Sequence, residues 1–173
     1  MLVSHAGVFV IEVKAFHGEI FGSIDSPKWV QQAGKSQRKF QNPIHQNYRH
    51  VSALRWQLSL RWKQLHSVIV FVGRATLRGY FGENVISTIA VGCPGLVRYI
   101  RSFEGEELSP NQLGRVVYEL YKFEAAGFTE EDLLNSIHER KARERAMSGS
   151  GIARSVYRNW DSACSFVSRA PVR

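Results

Sequence analysis

The pattern of hydrophobic and polar positions marks one buried strand near the start of the chain. Seven of the ten residues from Gly7 to Phe16 are apolar, and most of these are β-branched or aromatic, which favours a strand. Alternation along a strand divides the side chains into two rows, one with Val8, Val10, Glu12 and Lys14 and the other with Phe9, Ile11 and Val13. Neither row is polar throughout, so we predict a central strand that is covered on both faces.

Two shorter strands are predicted beside it. One lies at residues 2–5, before a turn at Ala6-Gly7, and the other at residues 19–22, after a turn at His17-Gly18. Connections this short allow only antiparallel neighbours, so the three strands should form an antiparallel meander. Residues 24–42 are mostly polar and are predicted as a loop with one helical turn around Trp29.

A long helix is predicted to begin at Asn42-Pro43, because asparagine caps helices and proline suits the first helical position. Apolar residues then recur at steps of three and four and form one stripe of Ile44, Tyr48, Val51, Leu54, Leu58, Trp62 and Leu65. A buried strand follows at residues 67–73, and a crossover can place it parallel to an earlier strand.

The second half of the chain is predicted to be mainly helical. A strand at residues 85–91 precedes a helix at 94–99, and Ser109 with Gln112 forms a capping box for a helix that runs to about residue 123. Gly127 ends that helix, and Thr129 with Asp132 caps another that reaches residues 140–145.

These elements define an α/β fold in which a small mixed sheet and a long helix are flanked by C-terminal helices. We predict a domain at residues 1–102, a helical extension at 103–147 and a flexible basic tail at 148–173. With 173 residues, 44% hydrophobic and 22% charged, the chain can bury an ordinary core. No run is long and apolar enough to span a bilayer and the first residues lack a basic signal region, so we expect a cytoplasmic protein without membrane contact. The two cysteines, Cys93 and Cys164, have no metal-ligand spacing.

The net charge of +8 is concentrated in one segment. Residues 26–82 contain ten lysines and arginines and no acidic residue. A surface of one sign attracts phosphates, so nucleic acid is the expected partner, although a merely solubilising surface is the alternative. The candidate nucleic-acid-binding residues are Lys28, Lys35, Arg38, Lys39 and Arg49.

Glu12 and Lys14 form a candidate site at the end of the apolar row. Burying a carboxylate is costly unless a cation, a metal ion or hydrogen bonds offset the cost. A simple ion pair at a strand end is the plain structural alternative, because such pairs are common and weak.

The sequence resembles a known family at several points. The segment from Gly7 to Lys14, the Gly18/Ile20/Gly22 pattern, Trp29, and the segment Asn42-Pro-Ile-His-Gln-Asn-Tyr-Arg-His50 together are similar to NERD, the nuclease-related domain. That family resembles a branch of the PD-(D/E)xK, restriction-endonuclease-like superfamily. The similarity runs from residue 1 to about residue 72, and more loosely to about residue 122.

The resemblance implies metal-dependent phosphodiester hydrolysis of DNA, with RNA left open, and Mg²⁺ (or Mn²⁺) as the cofactor. It makes Glu12 a metal ligand and Lys14 the group that orients water or stabilises phosphorane charge, and Gln46 would position Lys14 or the phosphate. The family pattern also places an aspartate about two residues before Met1, so relative to it the chain is truncated at its N-terminus. With Glu12 as the one carboxylate we expect metal affinity and rate to suffer, and a catalytically inactive nucleic-acid-binding module is the alternative function.

Overall fold

The computed structural model describes residues 1–79 and 87–127, together with single positions between 129 and 142. The strands are β1 (Leu2–Ser4), β2 (Gly7–Ala15), β3 (Gly18–Phe21), β4 (Lys28–Ala33), β5 (Ser36–Gln41), β6 (Leu65–Val72), β7 (Ala75–Arg78) and β8 (Ser87–Val91). The helices are α1 (Pro43–Gln57), α2 (Gly92–Arg101) and α3 (Pro110–Ala125), and a single 3-10 turn lies at Trp62–Gln64. This order confirms a mixed α/β fold with helices after the strands, which is consistent with the restriction-endonuclease-like fold.

The strands form two mixed sheets of four. The first has the order β1-β2-β6-β8, in which β1 is antiparallel to β2 and the other pairs are parallel. The second has the order β5-β4-β3-β7, in which only β3 and β7 are parallel. The predicted crossover is therefore confirmed, since β6 follows α1 and lies parallel to β2.

One parallel ladder runs through both sheets. Val8 pairs with Leu65 in the first sheet and Gly18 pairs with Ala75 in the second, so both pairs share the same offset of 57 residues. Between them, Phe16 N donates to Val72 O (3.1 Å) and Gly18 N donates to Arg74 O (3.1 Å). The strand pair β2/β6 thus continues as β3/β7 after a bend.

The predicted antiparallel pairing of the second and third strands is wrong. Gly18 has a φ of +80° and bends the chain into the second sheet, where β3 pairs with β4 and β7 instead of folding back on β2. A side chain at this position would also clash, because a Cβ would lie 2.2 Å from Gln32 O.

The first sheet is covered on both faces, as the alternation in β2 predicts. Val8 and Val10 pack in one core cluster with Val51 and Leu54 of α1 and with Leu58, which directly follows that helix. Phe9, Val68 and Val70 form a cluster on the other face, against Leu96, Tyr99 and Ile100 of α2. The segment after α2 joins the first cluster, since Leu108 and Val116 are fully buried in it. The predicted division at residue 102 stays a prediction.

Residues 28–41, predicted as loop, form a β-hairpin. Gly34 (φ +59°) and Lys35 make its two-residue turn, and glycine at the first position is what a type II′ turn requires. Only Trp29 and Phe40 bring large apolar side chains to the inner face, while Gln31 uses that face to donate to His17 O (2.9 Å). The hairpin therefore lacks the apolar alternation by which strands are recognised.

Helix α1 begins where predicted but ends at Gln57, before the last three members of the apolar stripe. Ser59 adopts a φ of +52° and Leu60 N donates to Arg55 O (2.9 Å), which is a Schellman-type ending. Leu65 and Trp62 still contact the same core cluster from the next segment.

Two predicted caps are confirmed. Ser109 and Gln112 form the capping box of α3, and Thr129 N donates to Asp132 Oδ2 (2.8 Å). Of the helix predicted up to residues 140–145, the structure describes single helical positions as far as 142. Its other positions, the first positions of the strand predicted at 85–91, Cys164 and the tail at 148–173 lie outside the described residues. Of the helices that the structure describes, none combines the length and hydrophobicity needed to cross a bilayer.

Candidate functional site

The site lies where β2 extends beyond its short neighbour. Strand β1 pairs only with residues Gly7 to Phe9, so in the described part of the chain no strand pairs with the remainder of β2 on that side. Glu12 and Lys14 stand in this remainder, on the face that Val8 and Val10 share. Their side chains are 15% and 18% exposed, so both charges are largely removed from water yet reachable.

Lys14 connects the two other predicted site residues. Its Nζ lies 2.5 Å from Glu12 Oε1 and donates to Gln46 Oε1 at 3.0 Å. Lysine has three N–H donors, so one remains available after these two contacts. The structure therefore brings Glu12, Lys14 and Gln46 together, although they come from two elements and are separated by up to 34 positions in sequence.

The start of α1 fixes the position of Gln46. Asn42 is fully buried, and its Oδ1 accepts from Ile44 N (2.9 Å). Its Nδ2 donates to three carbonyls of the loop between β3 and β4, of which Ser26 O is the nearest (2.7 Å). Gln46 N donates to Asn42 O (3.0 Å). The helix therefore begins from a rigid cap one turn before the amide that contacts Lys14.

Asn47 attaches the same turn of α1 to the sheet. It is fully buried, and its Nδ2 donates to Val10 O (2.9 Å) on β2 and to Ser67 Oγ (2.8 Å) on β6. Sequence analysis missed this residue, although the signal is visible: a polar side chain between two members of the apolar stripe must find buried partners.

The surroundings favour an anion. Gln46 lies in the first turns of α1, where backbone N–H groups and the helix dipole carry positive potential. Arg49 is exposed one turn further along the helix, and residues 26–78 contain no acidic side chain. A negatively charged group that approaches Lys14 therefore meets positive potential from two sides.

The other predicted nucleic-acid-binding residues lie on the hairpin. Lys28 begins β4, Lys35 lies in the turn, and Arg38 and Lys39 are neighbours on β5, with their side chains on opposite faces. All four are exposed, and none forms an ion pair with a described residue. Arg38 pairs in register with Gln31, whose side chain binds His17 O three residues beyond Lys14.

Glu12 can serve as one ligand of a divalent metal. Mg²⁺ in phosphate-processing sites commonly takes one or two carboxylates and completes its shell with waters and phosphate oxygens. Among the described residues no cluster of three or more His, Cys, Asp or Glu side chains is present, so Glu12 would hold the ion with a single protein carboxylate.

These features define a class of protein: an α/β domain in which a lysine, a carboxylate and an amide meet on a central parallel strand. Residues 1–72, from β1 through β6, match the family model of NERD, the nuclease-related domain, which confirms the resemblance predicted from the motifs.

An uncharacterized protein of Bacillus anthracis is 41% identical over 56 residues. The match covers 32% of this chain and 26% of that protein, so the chain spans about a quarter of the length of this relative. No solved structure matches the chain significantly.

Proposed function

We propose that this protein hydrolyses phosphodiester bonds of DNA with the help of a divalent metal ion. One observation carries the proposal: the ammonium group of Lys14 is held between the Glu12 carboxylate and the Gln46 amide, at 2.5 Å and 3.0 Å, inside a region matched by the nuclease-related family model.

Lys14 supplies the charge that the reaction needs. Its third N–H can donate to a non-bridging phosphate oxygen, and the negative charge on that oxygen grows as the phosphorane forms. Glu12 and Gln46 restrict the rotamers of Lys14, so the ammonium group is oriented before the substrate arrives. The amide nitrogen of Gln46 adds a neutral donor beside it.

Glu12 would also hold the metal ion, which when bound polarises the phosphoryl group and lowers the pKa of a water. The β1–β2 register is informative about a second carboxylate. Leu2 pairs with Phe9, and continuing this antiparallel register by two residues ahead of Met1 reaches the position opposite Glu12. The family pattern has its aspartate at about that position, so a chain extended there would place two carboxylates on adjacent strands.

The exposed cations extend the site. Arg49 on α1 and the four hairpin cations, Lys28, Lys35, Arg38 and Lys39, would contact the DNA backbone on either side of the phosphate that is cut. Such contacts release counterions, so affinity should fall steeply as salt is raised.

The test is plasmid cleavage in Mg²⁺ and in Mn²⁺ by the 173-residue chain and by a version extended upstream. Lys14→Met removes the charge and keeps the length of the side chain, and we expect it to lower cleavage at least 100-fold, which is the usual effect of losing a transition-state donor. Lys63→Met is the matched control, because Lys63 is exposed and pairs with Glu107 away from the site. Equal cleavage by wild type and Lys14→Met, or no cleavage by either length of chain, would contradict the proposal.

The second candidate is a catalytically inactive nucleic-acid-binding module. It is favoured by the Glu12 carboxylate, the one carboxylate that the described residues bring to the site, because Lys14 already neutralises it. This function predicts salt-sensitive binding without turnover in either chain length, whereas affinity that is equal at low and high salt would exclude it.

A further inference from the structure

The second sheet has an outer face of which the catalytic proposal uses only two lysines, Lys28 and Lys39. Its inner face carries Ile20, Trp29, Phe40 and Ala75 into the core. Side chains alternate along each strand, so the intervening positions point away from the core. This outer face continues the side of β2 on which Ile11 and Val13 lie, opposite to Glu12 and Lys14.

An exposed aromatic ring stands in the middle of this face. Phe21 on β3 is 42% exposed, although it sits in a central strand of the sheet. The register places Arg78 on one side of it and Val30 on the other, followed by Lys39 on the edge strand. A row of four side chains therefore crosses the sheet with a phenyl ring between two cations.

The neighbouring rows are polar and can form hydrogen bonds. Glu19, Gln32 and Gln37 lie in one row, and Lys28 pairs with Gln41 in another. Glu19 is the one acid in these rows, and it is neutralised by Arg78, whose Nε donates to Glu19 Oε1 at 3.0 Å. The two remaining lysines, Lys28 and Lys39, leave the face positive.

We propose that this outer face binds single-stranded nucleic acid. A base would stack on Phe21, and Lys28 and Lys39 would contact the phosphates on either side, since every base has a face that can stack and every nucleotide a charge. The amide groups of Gln37 and Gln41 can meet base edges. The exposed phenyl ring of Phe21 gives a base a flat apolar surface on which it can stack.

This inference goes beyond the proposed cleavage and does not depend on it. A nuclease-related domain that also holds unpaired strands would retain one strand of its substrate on the side of the sheet away from Lys14. Binding is measured with EDTA present, so absence of cleavage and absence of this site give different results.

The experiment is fluorescence anisotropy with a labelled thymidine 12-mer, alone and annealed to its complement, at fixed salt. Phe21→Ala should weaken binding of the single strand by about 5- to 150-fold, the effect typical of losing one stacked base, and should change duplex binding little. Phe21→Tyr should bind like wild type because stacking is retained. Tyr121→Ala is the matched control, since Tyr121 is 67% exposed on α3, far from the second sheet in the fold.

Three results would overturn the inference. The first is that Phe21→Ala binds the 12-mer as tightly as wild type, and the second is that Tyr121→Ala weakens binding as much as Phe21→Ala does. The third is that polyglutamate of equal charge competes as well as unlabelled 12-mer, since the face would then be a general polyanion surface. Urea unfolding of each variant separates a lost contact from a lost fold.

Discussion

Replacing Asn47 by leucine should destabilise the domain through the link between α1 and the sheet. The side chains are similar in size, so the change mainly removes the two hydrogen bonds from Nδ2 to Val10 O (2.9 Å) and Ser67 Oγ (2.8 Å). Each bond contributes about 1 kcal/mol, and Val10 O, left without this donor, costs a further 1–3 kcal/mol or so. Burial of the added methyl groups returns about 1 kcal/mol, and loss of the buried Asn47 Oδ1, which has no hydrogen-bond partner among the described residues, returns about 1 kcal/mol more. The net loss is about 1–3 kcal/mol.

Urea unfolding followed by tryptophan fluorescence measures this loss directly, because Trp29 is fully buried. The melting temperature should fall by about 2–12 °C for a chain of this size. Ser52→Ala is the matched control on the same helix. Ser52 Oγ is buried and has no hydrogen-bond partner among the described residues, so its removal should cost nothing or stabilise slightly.

An Asn47→Leu variant within 0.5 kcal/mol or so of wild type would refute the reasoning, since that is the range of neutral substitutions. A loss of the same size in Ser52→Ala would refute it too, because the effect would then belong to the helix and not to the amide.

The remaining predictions concern a buried histidine and two glycines. Burial holds the pKa of His66 below its ordinary value of 6.5, against the opposing effects of its hydrogen bond to Ala6 O and of the Glu107 charge. Below pH 6.5 the unfolded chain therefore takes up a proton that the folded chain resists, so the free energy of unfolding should fall from pH 7 to pH 5. The fall should be smaller in His66→Phe. If urea unfolding gave the same dependence of this free energy on pH for wild type and His66→Phe, the prediction would be contradicted. Gly22→Ala should destabilise the fold because its Cβ would lie 2.3 Å from the Trp29 ring, whereas Gly114→Ala in α3 meets no atom within 4 Å and should stabilise by about 0.5–1 kcal/mol; thermal melts of both variants test the contrast.

Local chemistry in the sequence predicted the elements that carry the site. Alternation in β2 placed Glu12 and Lys14 on one face, and the cap at Asn42-Pro43 placed Gln46 in the first turns of α1, as the structure shows. These features are readable because each depends on neighbours a few positions apart. The same holds for the capping box at Ser109, which was predicted to the residue.

The errors fall where distant residues decide. His17-Gly18 has the composition of a hairpin turn, but β3 pairs with β7, which lies more than 50 residues later in the sequence. No pattern near Gly18 predicts this pairing. The β4–β5 hairpin lacks the alternation that predicts strands, because the polar Gln31 occupies an inward position. Its side chain can be buried there because it donates a hydrogen bond to His17 O. The ending of helix α1 is marked by Ser59, which adopts the left-handed conformation with a φ of +52°. A glycine at this position would have predicted the ending, but a serine does not.

The bent parallel ladder also limits the distance between the two proposed sites. Lys14 and Phe21 are seven residues apart on one continuous run of strand, and at about 3.3 Å per residue they are separated by no more than about 23 Å. At the bend the two strands approach closely, since a Cβ at Gly73 would lie 2.5 Å from Phe16 O. Under the two proposals, a strand that contacted both residues would be held within about 23 Å of the phosphate that is cut.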